Sequence, residues 1–411
     1  MSNIIKPTAQ SKWARVKDAL KEGLDHKKAN VLDVLMENTR RDFVARAQSS
    51  SGMLMENASG AAVSTGNIAT LNKVILPIMR RVMPNVIANE IIGVQPMPGP
   101  VAQIVSMRYV YGTTSVGAGT TAGEEMLTPL HIRDIAASYS GNEVAATPAG
   151  GPTAQLEGVP GNAVKLTVLK QLVQAKGRRL SARWTVEAKA DSMNQYGIDL
   201  ENEMLAGVAT HMTVEVDQEI LRHLRSLPAT PTAANTFSQA SVAGQPTSVV
   251  DEFAALAVLI NRQANNVATR TRMGKANWAV VSPTALTILE SARASAFART
   301  TEGQWEAPTN NKYVGMLNNS LKLYVDTYAD DATPVLVGFK GDSEAAVALV
   351  YAPYIPLTSS GTVIDPNTFE EVTSFSTRYS IVDFTNTQTS LGNSADFLGL
   401  VGINAANLSF L

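Results

Sequence analysis

Residues 199–227 read DLENEMLAGVATHMTVEVDQEILRHLRSL, and this stretch decides the architecture. Its apolar residues fall at Leu200, Met204, Leu205, Val208, Met212, Val216, Ile220, Leu221, Leu224 and Leu227. Steps of three and four put them on one stripe of a single helix. At roughly 1.5 Å per residue the rod is on the order of 43 Å long, and Pro228 ends it because proline cannot continue the hydrogen-bond ladder. A rod with one apolar stripe needs a broad surface to lie on. Leu205, Met212 and Ile220 are therefore expected in the core.

The flanking sequence alternates between the two regular structures. Upstream, a charged segment carries a helix expected to be capped by Ser11, with Trp13, Val16, Leu20 and Leu24 on one face. A second helix is expected over 27–48 and a third over 67–92. Gln103–Tyr111 alternates like a strand, with Val164–Val168 as its returning partner. Residues 169–194 are expected to be helical. Downstream come helices over 251–265 and 283–298 and strands over 278–281, 321–325, 335–339, 346–351 and 372–383, with 229–248 a polar linker. Helix and strand mix without a regular strand–helix–strand repeat, so the class is α+β.

Between the first pair of strands lie residues 112–161, rich in Gly, Ala, Thr and Pro. Fifty residues of that composition do not fit inside a compact domain. They fit a long arm that reaches a neighbouring subunit, with Met126, Leu127, Leu130 and Ile132 as its apolar anchors.

Composition narrows the function. The chain has 411 residues, 45% hydrophobic and 17% charged, with a formal net charge of −2. A dedicated nucleic-acid binder would be strongly basic. Residues 1–48 hold ten Lys/Arg against six Asp/Glu, so positive charge is concentrated at that end. The absence of cysteine excludes disulfides, thiolate metal sites and cysteine nucleophiles. The opening residues contain no apolar run of signal-peptide length, and no stretch approaches a membrane span, so folding in a cytoplasm is expected.

Catalytic readings are weak. His211, Glu215, Glu219 and His223 stand four apart on the long helix, but four groups over three turns do not converge on one ion. They read as a solvated face opposite the apolar stripe. Gly117, Gly119 and Gly123 lack the helix N-terminus that a phosphate cradle needs. Ser282 lacks the glycines of a nucleophile elbow and reads as a helix cap before Pro283. Asp365 and Asp383 have no carboxylate partner nearby in sequence. No catalytic residue, cofactor or metal is expected.

Three blocks resemble the major capsid proteins of T-even-like tailed phages, in the same order and spacing. One runs Arg80–Ile87, Ile91–Pro100 and Tyr109–Gly112. The next joins Gln174–Leu180 to Glu215–Glu219. The last joins Tyr351–Thr358, Asp365–Phe369 and Ser376–Tyr379. The resemblance implies the Johnson fold shared by tailed phages and herpesviruses. Its parts map as an N-terminal arm at 1–74, the start of the peripheral domain at 75–104, and an extended loop at 105–166. The peripheral domain resumes at 167–234 with the spine helix at 199–227, an axial domain covers 235–345, and 346–411 completes the peripheral domain. The family carries an insertion domain in its extended loop; with only about fifty low-complexity residues here, it is expected to be missing or vestigial.

It further implies an icosahedral head built of hexamers, with pentamers left open, enclosing double-stranded DNA that is touched without specificity. Scaffold, prohead protease, vertex and decoration proteins are the implied partners, and no membrane. The family's protease cuts after Glu in Leu/Ile-x-Glu, which points to the bond between Glu56 and Asn57 in Leu54-Met-Glu-Asn57. Leu35-Met-Glu37 repeats the motif inside a helix. The competing readings are a vertex-specific paralogue, an encapsulin-like shell and, from another class, a metal hydrolase built on the long helix.

Overall fold

The computed structural model describes residues 23–51, 87–115, 120–123, 161–197, 199–239, 249–271, 273–292, 297–299, 311–318, 320–341, 346–365, 370–384 and 393–404, with isolated positions between them. In chain order the elements are α1 (His26–Ser51), α2 (Ala88–Ile91), β1 (Gly93–Val94), β2 (Val101–Tyr111), β3 (Val164–Gln174), β4 (Lys176–Thr185), α3 (Val186–Tyr196) and α4 (Leu200–Ser226). Then follow β5 (Thr236–Phe237), α5 (Val249–Thr271), β6 (Trp278–Val281), α6 (Pro283–Ser291), β7 (Phe297–Arg299), β8 (Asn311–Leu317), β9 (Leu321–Asp326) and β10 (Val335–Gly338). The last are β11 (Leu349–Ile364), β12 (Glu370–Asp383) and β13 (Leu398–Ile403).

Two sheets form the body, and a separate two-stranded ribbon stands beside them. The smaller sheet has the order β1-β11-β12-β4, the larger β5-β13-β10-β6-β9-β8-β7, and the ribbon pairs β2 with β3. Strands β6, β10 and β13 are buried throughout, as strands covered on both faces must be. Alternation along β6 divides its side chains between two cores. Ala279 and Val281 enter one with Leu256, Ile260 and Val267 of α5 and Ile288 of α6, while Trp278 and Val280 enter the other with α4. Ser282 starts α6 by accepting a hydrogen bond from the Ala285 N–H at 3.2 Å, and Pro283 sits in its first turn.

The 27 residues of α4 span about 40 Å. Asp199 caps it, accepting from the Glu201 N–H at 3.2 Å; Glu201 and Glu203 lie in its first turn, His223 and Arg225 in its last. These charges oppose the helix dipole at both ends. Its first half packs Leu205, Ala209 and Met212 against Leu357 and Phe375 of the smaller sheet. Its second half packs Val216, Ile220, Leu221 and Leu224 against Trp278, Tyr324 and Leu336 of the larger one. One helix thus lies on both sheets.

Several elements differ from expectation. Residues 169–194 are not one helix: β3 and β4 occupy 164–185, and only Val186–Tyr196 is helical. The reason is period. From Arg178 to Trp184 alternate side chains point to the α4 side, Ala182 and Trp184 being buried, a repeat of two that no helix has. Helix α6 ends at Ser291, short of 298, and 297–299 is a strand. The strand expected at 346–351 starts at Leu349 and runs to Ile364, and the linker over 229–248 holds β5. The C-terminal strand β13 does not stay with β11 and β12 but crosses into the larger sheet between β5 and β10. The helix expected over 67–92 is described only at Ala88–Ile91, and most of the Ser11-capped helix lies outside the described residues.

Candidate functional site

Two features stand out once the fold is laid down: a polar junction on α4 and an apolar face on the ribbon. The junction forms where β4 and β12 pass under the middle of α4. Arg178 on β4 reaches up to Glu215 and, at 2.7 Å, to Glu219. Its guanidinium carbon lies 5.9 Å from the centre of the Tyr379 ring, and the Tyr379 hydroxyl donates to Glu219. Burial opposes the Arg178 charge, but Tyr379, Glu219 and Glu215 outweigh it and hold the group above its ordinary pKa. Burial, then Glu219, pushes the Tyr379 phenol up. Two residues from each glutamate, and so on the opposite, buried side of the helix, Asp217 accepts from the Ile87 N–H at 3.0 Å.

The His211–His223 face is solvent-facing, with His211 and Glu215 exposed, but it is also used as a contact. Glu215 and Glu219 are partners of Arg178, locking helix to sheet, and among the described residues no His/Asp/Glu group is gathered to hold a metal ion. Lower on the helix, Asp326, fully buried at the end of β9, accepts from Gln218 at 2.8 Å and from Arg225 at 2.9 Å. Arg178 and Asp217 stand within the blocks that carry the family resemblance, yet sequence reading assigned neither a role, and it passed over Asp326. Their partners are distant in the chain, and nothing local announces them.

The ribbon is built from eleven consecutive antiparallel pairs, Val101 opposite Gln174 through Tyr111 opposite Val164. At about 3.4 Å per residue it is about 37 Å long. Directly opposed residues share a face. One face is rooted: Val173 is buried with Met97, Ala352 and Val382, and Gln171 donates to the Asp383 carbonyl at 2.8 Å. The other face carries Val101, Val105, Tyr109, Val164, Leu166, Val168 and Leu172, each between 44% and 68% exposed. At the far end the Tyr139 hydroxyl donates to the Ala163 carbonyl at 2.6 Å, and its ring meets Tyr111 at 4.4 Å. There Gly112 has no room for a Cβ, since it lies against the Ala163 carbonyl that its own N–H bonds at 2.7 Å.

Leu205, Met212 and Ile220 are buried along α4 as described. Met126, Leu127, Leu130 and Ile132, and likewise Glu56 and Asn57, lie outside the described residues. In the second Leu-Met-Glu sequence Leu35 and Met36 are fully buried on α1, so a protease has no access to that copy.

The segments that meet around α4 are far apart in sequence, and they are the segments a family comparison aligns. The family model for major capsid protein Gp23 matches residues 68–158 and 152–403. The chain belongs to the Gp23 major capsid protein family. Membership carries the α+β shell fold of tailed-phage capsid proteins. The chain is 26% identical to the major capsid protein of Vibrio phage KVP40, over 84% of this chain and 83% of that one. It is 24% identical to the major capsid protein of Enterobacteria phage T4, over 90% of each. Among solved structures it is similar to the capsid of Myoviridae phage XM1, with a TM-score of 0.43 and 11% identity over 76% of this chain and 90% of that chain. A solved chain of Mycobacterium phage Che8 gives 0.42 and 13%, over 75% of this chain and 86% of that chain. No helix among the described residues is long and apolar enough to cross a membrane.

Proposed function

We propose that this chain is the main shell subunit of a tailed-phage head, forming hexamers around double-stranded DNA, with the occupant of the pentameric vertices left open. It works by geometry and carries no reaction of its own. The observation that carries the reading is the open ribbon face. A two-stranded ribbon is marginal alone, and seven large apolar side chains on one side of it are unfavourable in water. Each is about half exposed, so covering it contributes roughly 1 kcal/mol or a little more, and closed assembly repeats the gain at every subunit. The partner we assign is another copy of this chain.

The body behind the ribbon fits that role, since Arg178 and Asp326 tie α4 to both sheets and Val173 and Gln171 root the ribbon on the smaller one. The missing insertion domain is supported by two facts. The alignment with the T4 protein covers 479 positions, more than the 411 residues present, and the two family matches meet at 152–158, inside the extended loop. Scaffold, protease, vertex and decoration proteins remain partners proposed from the family. Cleavage after Glu56 is proposed with them; virion protein should then give a peptide beginning at Asn57 by mass spectrometry, and an uncut chain in DNA-filled heads would refute it.

The direct test replaces the ribbon face. Val105→Ser, Leu166→Ser and Leu172→Ser together should leave a folded, soluble subunit with the near-ultraviolet spectrum of the parent, and sedimentation should find no shells. Normal shells from the triple variant would mean that the face is not an assembly contact.

A further inference from the structure

The first half of α1 is held against the body by contacts of three chemical kinds, spaced three and four residues apart along one helical face. Lys28 Nζ lies 2.9 Å from Glu90 Oε1. Val31 and Leu35 enter the apolar cluster that holds Ile87, Ile91 and Tyr351, with Leu35 fully buried. Asn38, 4% exposed, donates from Nδ2 to the Met97 carbonyl at 2.8 Å and to the Tyr354 carbonyl at 3.0 Å. Those two carbonyls come from segments more than 250 residues apart, brought side by side where the chain after β1 runs along β11. There the Gln95 N–H bonds the Tyr351 carbonyl, and the Met97 N–H bonds the Pro353 carbonyl, each at 3.0 Å.

An apolar stripe alone would tolerate sliding along the groove. A side-chain amide that satisfies two buried carbonyls does not, because any shift leaves all three groups unpaired. The groove therefore has a carboxylate at one end, an apolar floor and a pair of carbonyl acceptors at the other. It is a built site for an amphipathic helix with a cation, two aliphatic residues and an amide at this spacing.

We infer that α1 is the ligand of this groove, bound by recognition rather than held by its chain connection. None of the contacts named uses residues 52–86, which join α1 to α2. A chain cut anywhere in that span keeps every one of them, so the helix stays on the body as a separate peptide. What is lost is the effective concentration that the connection supplied, so the cut helix becomes exchangeable with an identical helix from solution. The inference does not depend on the shell reading; it applies equally to a free subunit.

The test uses the full chain with a site-specific protease sequence placed in the small-residue tract 57–66. After cutting under native conditions, gel filtration should keep the N-terminal fragment with the body. A fluorescent peptide of residues 23–45 should then replace it over time. Asn38→Ala, and more strongly Leu35→Ala with Asn38→Ala, should release the fragment at least tenfold faster, while the parent's near-ultraviolet spectrum before cutting shows each variant folded. Immediate loss of the parent fragment would overturn the inference. So would equal retention in the variants, since the groove contacts would then not be what holds the helix.

Discussion

Lys340 shows how much of this fold depends on single buried groups. Its ammonium donates to the Asn89 carbonyl at 2.7 Å, beside Glu90 and within the field of Lys27, Lys28 and Lys322. Burial, aided by the three lysines and opposed by Glu90, pushes its pKa down to about 8 from 10.5. In the unfolded chain the amine keeps its proton to about 10.5, so between the two values the unfolded state binds more protons and stability rises with pH. Burial holds the Tyr324 and Tyr351 phenols above their ordinary value, which reverses the trend above about pH 10. The melting temperature should therefore climb from pH 8 to about 9.5, and Lys340→Met should flatten that climb. A profile identical to the parent's would mean that the amine is solvated. Sequence reading had no access to Lys340, nor to Gly338, whose missing Cβ makes room for the Trp278 ring across the β10–β6 pair. Both depend on which strand lies alongside, and that is settled only by the tertiary fold.

At the level of elements, α4 is the most consequential, and it is also the one the sequence reveals most fully. Its stripe, its capping Asp199 and the stop at Pro228 are all local signals, and the structure has the helix at Leu200–Ser226. Ile220 is fully buried between the helix and the larger sheet. Ile220→Asp puts an unpaired carboxylate there and should cost several kcal/mol, enough to leave insoluble protein. Leu205→Asp, at 8% exposure near the other end, should be milder. Equal solubility of both variants and the parent, by fractionation of expressing cells, would contradict the burial described. The start of β3 was legible at Val164–Val168, but its second half was misread, with β4, as helix, and for β3 the reason is physical. On β3 both faces hold apolar residues, so Leu166, Val168 and Leu172 on one side and Val173 on the other blur the repeat of two. A strand that is rooted on one face and bound by a partner on the other has that signature, and composition alone does not separate it from a helix.

Across the described residues, two sheets share the helix α4, and the ribbon beside them presents an apolar face. The body was legible as a mixture of helices and strands, and the family blocks were legible as motifs. Their convergence on α4 was not, because Arg178, Glu219 and Tyr379 meet across some two hundred residues of chain. The ribbon face carries the proposed assembly contact, since its apolar side chains are exposed in the described subunit. The measurement that tests this most directly is electron cryo-microscopy of the particles that the purified full chain forms. The account predicts closed shells in which Val105, Tyr109, Leu166 and Leu172 of each subunit are covered by an adjacent copy. Shells in which those residues face solvent, or a protein that stays monomeric under all assembly conditions, would contradict it.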